Sequence, residues 1–324
     1  MDIYVKKAII HQFSPDDTDL YLADKFLNIT PKIEEYLRKK IERVYSDEAK
    51  TGIFEEDNPF LEMISDDLLE TSVAVANRWK EEFVISENQK TNDLVFIQFS
   101  KEGVDHFAFL RIALRETLTH LGGEVDNPIK LTQNNLPGFG TGADEALVIN
   151  LQSRKYHLIE KRIKYNGTIL NYFSENLLQA QPKISPKKSI KALEKTAQKI
   201  AESFNTDDFQ FQSKVKSAIF NHIEEENKLS PEKLADDLFD DNLTARLSFI
   251  DQVKEAVPEP VTFEEIDASR QLKKFENQKL SLSNGIELIV PNNVYEDAES
   301  VEFILNDNGT YSILIKNIED IQSK

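Results

Sequence analysis

Near residue 166 the apolar residues of this chain change their spacing, and no other feature constrains the fold as much. Upstream, they alternate or run together as strands do. IYVKKAIIHQF and DLYLADKFL are separated by the turn-forming Ser14-Pro15-Asp16-Asp17. LVFIQF and HFAFLRIAL flank Gly103 as a hairpin, and IKLTQ, ALVINL and YHLIEKRI complete a sheet of six or seven strands. Two helices interrupt this half. One starts at Thr30 (N-cap) and Pro31, with Ile33, Leu37, Ile41 and Val44 on one face. The other spans roughly residues 60–85, carrying Leu61, Ile64, Leu68, Val75, Trp79 and Phe83.

Downstream the period is helical. Ile169, Phe173 and Leu177 mark one predicted helix; Ile190, Leu193, Ala197 and Ile200, after Ser185-Pro186, mark the next. Val215, Ile219 and Ile223 mark a third, Ser230-Pro231 opens a short fourth, and Leu243, Leu247, Ile250 and Val253 mark a fifth. Val257-Pro258-Glu259-Pro260 reads as a linker, because each proline biases its predecessor away from helix. Beyond it, Asn284-Gly285 and Asn308-Gly309 each stand between apolar runs, a strong hairpin signal. The expected fold is α+β: an N-terminal mixed sheet with helices, a helical middle segment and a C-terminal strand-rich, hairpin portion. The expected domains are 1–165 and 166–324, the second helical over 166–257 and hairpin-rich over 261–324.

Forty per cent hydrophobic residues, among them 20 Phe, supply a packed core for a chain of 324 residues, long enough for two domains. With no cysteine there are no disulfides, thiolate metal sites or thiol nucleophiles. MDIYVKKAIIHQF lacks the apolar core and cleavage site of a signal peptide, and Arg111 interrupts HFAFLRIAL, one of the greasiest stretches. A soluble, cytoplasmic protein without a membrane partner is expected.

The formal net charge of −18 speaks against a polyanion partner, yet it is unevenly spread. Residues 1–150 hold 16 Lys and Arg against 28 Asp and Glu, and residues 201–324 hold 12 against 26. Residues 151–200 reverse the balance, with 11 basic residues against 3 acidic ones. Within that island, KKSIKALEKTAQKIAESF reads as an amphipathic helix. At ~100° per residue, Lys188, Lys191, Lys195 and Lys199 fall within an arc of roughly 80°. Ile190, Leu193, Ala197, Ile200 and Phe204 lie opposite. Arg154, Lys155, Lys161, Arg162 and Lys164 form a second cluster upstream, with Tyr156 and Tyr165 among them. These nine residues are the DNA-contact candidates, suited to phosphates more than to base edges. Two other readings stand beside this one: the solvated face of an ordinary core helix, and a basic segment lying against the acidic C-terminal half. The charges of Lys32, Arg38, Lys39, Lys40 and Arg43, mixed with Glu34, Glu35 and Glu42, read as a solvated helix face with i,i+4 pairs.

Catalytic and metal signatures are weak. His11, His106, His120, His157 and His222 show no ligand spacing, and no nucleophile elbow or Walker loop is present. GFGTGADE, with Gly138, Gly140 and Gly142, reads as a flexible loop between strands in preference to a phosphate cradle, with backbone donation to DNA phosphate from this loop as the alternative reading. Pro15-Asp16 with Glu48-Ala49-Lys50 matches a loose magnesium-nuclease pattern, but acid-x-base triplets are common in so charged a chain, and Glu48 falls in a loop. No catalytic residue, metal or cofactor is assigned.

IIHQFSPDDTDLYLADKFL at 9–27 and IERVYSDEAKTGIFEEDN at 41–58, with LVFIQF at 94–99 and ALVINL at 146–151, resemble the 37-kDa nucleoid-associated protein family (NdpA-like). The likeness covers nearly the whole chain. It implies a bacterial cytoplasmic protein at the nucleoid, associated with double-stranded DNA and with chromosome-handling machinery such as type II topoisomerases. It supplies no contact residues. The expectation is a non-enzymatic DNA-binding protein of low sequence specificity; the alternative is a scaffold recruited to the nucleoid by a protein partner. Hairpin edges and amphipathic helices are compatible with a homodimer.

Overall fold

The computed structural model describes residues 2–16, 18–84, 90–120, 129–205, 209–263 and 265–322, with the side chains of 265–267 left aside. The chain is α+β and divides into two units, Met1–Ser185 and Pro186–Lys324.

The first unit opens with strands β1 (Ile3–Ser14) and β2 (Asp19–Tyr21), helix α1 (Pro31–Val44) and strand β3 (Lys50–Ile53). Helices α2 (Pro59–Glu62) and α3 (Leu68–Phe83) precede the long strands β4 (Asn92–Lys101) and β5 (Val104–Ala113). Strands β6 (Arg115–His120), β7 (Ile129–Asn135), β8 (Glu145–Asn150), β9 (Lys155–Ile159), β10 (Ile163–Tyr165) and β11 (Thr168–Leu170) follow, then a π-helical turn, Phe173–Leu177. Seven strands form one antiparallel sheet in the order β2-β1-β4-β5-β8-β9-β3. Helix α1 covers one face, where Leu37, Ile41 and Val44 meet Ala8, Ile97, Ala108, Leu110 and Val148. Helix α3 covers the other, where Val75, Trp79 and Phe83 meet Phe13, Phe96, Phe109 and Ile149. Both faces being buried, β4, β5 and β8 read as near-continuous apolar runs, broken at Gln98 of β4 and Arg111 of β5. A bulge at Lys6 in β1 lets Ile3, Val5 and Ala8 share the α1 face despite their mixed parity.

Several expectations hold. Thr30 caps α1 by accepting from the Ile33 N–H at 3.4 Å, and Glu102 and Gly103, both at positive φ, make the β4–β5 hairpin turn. Others are corrected. The helix expected over 60–85 is two helices, because Asp67 accepts from the Leu69 N–H at 2.8 Å and starts α3 afresh. IKLTQ does not join the sheet; β7 pairs with β6 in a separate ribbon, while β2 and β3 take the sheet edges. YHLIEKRI is split between β9 and β10. Ile169 lies in β11, folded back on β10 through Asn166 and Gly167 at positive φ, and only the Phe173–Leu177 turn is helical. That turn buries Tyr172, Phe173, Leu177 and Leu178 in the core beneath α3, so residues 166–185 belong to the first unit.

The second unit contains α4 (Pro186–Ser203), α5 (Phe209–Glu226), β12 (Lys228–Leu229), α6 (Pro231–Leu238), α7 (Leu243–Lys254) and β13 (Val261–Thr262). Helix α8 (Glu265–Phe275), β14 (Asn277–Ser281), β15 (Glu287–Pro291), α9 (Asn292–Tyr295), β16 (Val301–Leu305) and β17 (Tyr311–Ile315) complete it. Helices α4 to α7 enclose a core of Leu193, Ala197, Ile219, Ile223, Leu234 and Phe249. Helix α7 turns a different face inward from the one expected. Leu243 and Leu247 are exposed, whereas Ala245, Phe249 and Val253 are buried, and the Phe249 ring meets Phe239. The 257–260 segment is no boundary, since Val257 is in this core and β13 pairs with β12. The two Asn-Gly hairpins form as expected, β14 with β15 and β16 with β17. Gln278 and Asn292 anchor the first of them to Ser217 of α5.

Candidate nucleic-acid interface

Helix α4 presents the expected stripe. Lys188, Lys191, Lys195 and Lys199 are all exposed, while Ile190, Leu193, Ala197 and Ile200 are buried behind them. The burial follows from the i, i+3, i+4 spacing of the apolar residues, which seat against α7 and α5 and leave the lysines facing out. Lys199 donates to the neutral Gln252 amide of α7 at 3.1 Å, so its charge is not cancelled.

The upstream cluster is held less freely. Arg154, at φ +59°, sits in the turn before β9 and lies 3.4 Å from Glu56. Lys161 donates to Asp144 at 2.6 Å. Lys155 begins β9 opposite Ile53, Lys164 lies in β10 opposite Ile169, and both are exposed, as is Arg162. Tyr156 is a core residue, its hydroxyl pushed up to about 12 by burial and by Glu160; Tyr165 is exposed. This cluster belongs to the first unit and the α4 stripe to the second, so the basic island spans the division between them.

Periodicity missed Lys40 of α1. It is buried, not solvated, and its ammonium donates to the carbonyls of Gly138 at 2.9 Å and Thr141 at 2.5 Å, with Pro137 at 3.4 Å. Tyr36 lies under the ammonium and donates its own hydroxyl to Pro137. Burial, with Arg43 and Arg115 nearby, lowers Lys40 to about 8. The glycine-rich loop is therefore clamped on a lysine through its carbonyls. Its partners lie about a hundred residues away in sequence, and no local signal could have revealed them.

The remaining chemistry is structural in form. Lys50 of the loose nuclease pattern donates to Glu160 at 2.5 Å, and Glu160 also accepts from the Ser174 N–H and hydroxyl, tying β3 to the π-helical turn. Glu48 and Asp16 are exposed. Among the described residues, no group of three or more acids and histidines could hold a metal ion. His11 lies 2.9 Å from Ser72, but its Nδ1 accepts from the Ala23 N–H, so Nε2 carries the proton and donates to the hydroxyl. A histidine held in that tautomer cannot act as a general base toward Ser72. Burial lowers its pKa. Another buried group joins Arg111 to Glu145 at 2.6 Å and to Asn92 at 2.9 Å, with Tyr172 donating to Glu145 and Trp79 to Tyr172. Burial and Glu145 raise Tyr172 well above the usual phenol range, so the hydroxyl keeps its proton and acts as a donor. No described helix is long and apolar enough to cross a membrane.

No curated protein matches the chain significantly. The family model described as nucleoid-associated protein YejK matches residues 9–321, which takes in both units. The segments that carry the resemblance thus lie within a match of nearly full length, and the chain belongs to the nucleoid-associated protein YejK family.

Proposed function

We propose that this nucleoid-associated chain acts without catalysis and binds duplex DNA through backbone phosphates with little sequence preference. The contact residues in this reading are Lys188, Lys191, Lys195 and Lys199, joined by Arg154, Lys155, Lys161, Arg162 and Lys164. The observation that carries it is the exposed lysine row of α4 backed by a buried apolar face. At 1.5 Å per residue the row is about 17 Å long, comparable to the rise of roughly five phosphates along one strand. Ammonium groups on flexible stems suit that register-tolerant contact, because each neutralised phosphate releases condensed counterions whatever the base sequence.

The test is duplex binding over a salt series by wild type and by the quadruple variant Lys188→Glu, Lys191→Glu, Lys195→Glu, Lys199→Glu. The expected result is a large loss of affinity and a salt slope shallower by about 3.6, at ~0.9 per phosphate contact. Unchanged affinity and slope remove the row as the contact.

A second reading is a scaffold brought to the nucleoid by a basic protein partner, a type II topoisomerase subunit being one example. It is favoured by the acid surplus around the row: residues 186–324 hold 17 Lys and Arg against 27 Asp and Glu. Purified wild type that fails to bind duplex at low salt selects this reading.

A further inference from the structure

The carbonyl clamp on Lys40 has an outer side. Arg43, one turn along α1 from Lys40, is exposed, and its Cδ comes within 3.7 Å of where a side chain at Gly142 would begin. Arg115 is exposed at the start of β6, opposite Asn135, the residue from which the chain enters the loop. Lys161 reaches the same neighbourhood through Asp144, just past the loop. Among the described residues neither Arg43 nor Arg115 has a carboxylate within ion-pair distance. Arg43 and Arg115 thus lie in the surroundings of Lys40, and Asp144 lies between Lys40 and its partner Lys161. That carboxylate also accepts the Ala113 N–H and is held below its usual range by Lys161, Ala113 and Arg111 in spite of its burial.

The loop supplies the second component. Residues Gly138 to Thr141 form a tight turn closed by a 3.0 Å backbone bond. Gly138 and Gly140 are exposed, their φ angles suit any residue, and an added Cβ would touch nothing at either. Neither conformation nor packing requires glycine there. The bare backbone instead leaves the N–H groups of Phe139 and Gly140, which meet no acceptor among the described residues, open to close approach by a ligand. The carbonyls face the buried ammonium, while the Arg43 side chain, which has no ion-pair partner among the described residues, comes beside Gly142 at the end of the loop.

We infer that Arg43, Arg115 and Lys161, with the backbone of the 138–142 loop, form a binding site for a nucleic-acid backbone phosphate. This rests on the proposed DNA-binding reading and adds a site in the first unit, apart from the α4 row. An anion there would relieve the mutual repulsion of Lys40, Arg43 and Arg115, which adds to burial in lowering the proton affinity of Lys40.

The test has two arms. In the first, duplex binding across a salt series compares wild type, the double variant Arg43→Glu, Arg115→Glu, and a control, Lys25→Glu, Lys32→Glu, carrying the same change in net charge. The expected result is at least a tenfold greater loss for the arginine variant than for the control, with a salt slope shallower by about 1.8. Arg43→Lys, Arg115→Lys should retain most of the binding, which guards against misfolding as the cause. In the second arm, inorganic phosphate is titrated into wild type and the amide resonances of Phe139, Gly140 and Gly142 are followed; saturable shifts that the arginine variant abolishes are expected. Wild type that binds duplex while the arginine variant matches the control overturns this site and leaves the DNA reading intact. Wild type that fails to bind duplex but shows the phosphate shifts overturns the DNA reading and leaves an anion site. Absence of the shifts overturns the site under either result.

Discussion

Helices α1 and α4 are both amphipathic and both rich in lysine, yet their cations are treated in opposite ways. In α1, Arg38 pairs with Glu42 at 2.8 Å, Lys39 pairs with Glu35 at 3.2 Å, and Lys40 is sealed beneath a loop. In α4, Lys188, Lys191 and Lys195 meet no carboxylate at ion-pair distance among the described residues, and Lys199 leans on a neutral amide. Lysine content does not separate the two. The difference lies in whether acids along the helix close ion pairs, which Glu194 and Glu202 of α4 do not do with the row among the described residues, and in backbone carbonyls supplied from elsewhere in the fold. A row of lysines stays available to a polyanion where neither engages it.

Changing Lys40 should separate the helices most sharply. Lys40→Met keeps the packing but strands buried carbonyls, and should cost about 2–3 kcal/mol of first-unit stability. Urea unfolding followed by the fluorescence of Trp79, the only tryptophan, reads this directly. Lys195→Ala in α4 should cost less than about 0.5 kcal/mol by circular dichroism; a comparable loss there would break the contrast.

Acidity and alkalinity give the next largest effect, again in the first unit. Burial lowers the folded pKa of His11, so the unfolded chain binds more protons than the folded one below pH 6.5. Stability should therefore fall as pH drops from 6.5 toward the folded pKa, and His11→Gln should flatten that limb in a series of urea melts. Lys40 obeys the same sign at high pH. Its folded pKa of about 8 lies below the unfolded 10.5, so stability should rise between those values. Lys40→Met should abolish that rise; a rise that persists would mean another group carries it.

The smallest effect belongs to the surface pairs of α1. Glu35→Gln should change thermal stability by no more than about 0.5 kcal/mol, and the difference should vanish in high salt. A larger, salt-resistant effect would mean that the pair does more than decorate a solvated face.

The elements readable in advance were those whose determinants are local. Thr30 and Pro31 start α1, the Asn-Gly pairs turn the C-terminal hairpins, and LVFIQF and HFAFLRIAL are strands because helices cover both faces of the sheet. The alternating lysine and apolar positions of α4 likewise sort themselves by helical period. What stayed hidden depends on distant chain. Strand β3 exists through pairing with β9, and Gly52 leaves room for the Tyr156 ring, which a Cβ would strike. The β6–β7 ribbon has the composition of a sheet strand and differs only in lacking a sheet neighbour. Leu243 and Leu247 spell a sound apolar stripe, but the larger Phe249 ring packs against α6's end and sets the helix rotation. Arg43 and Arg115, 72 positions apart in sequence, both act on the Lys40 ammonium, a proximity that no local pattern encodes.

The bulge in β1 bears on how chains of this kind should be aligned. Lys6 is the residue without a cross-strand partner: Val5 faces Phe99, Lys7 faces Gln98 and Ala8 faces Ile97. Excising Lys6 would join two stretches whose inward positions then alternate without interruption, so the strand would lose a letter and keep its meaning. Excising Ala8 or Ile9 would instead exchange the positions facing α1 and α3 for the rest of the strand. A single-residue gap near position 6 is thus silent length variation in this sheet, and a gap a few positions later would mark a different fold.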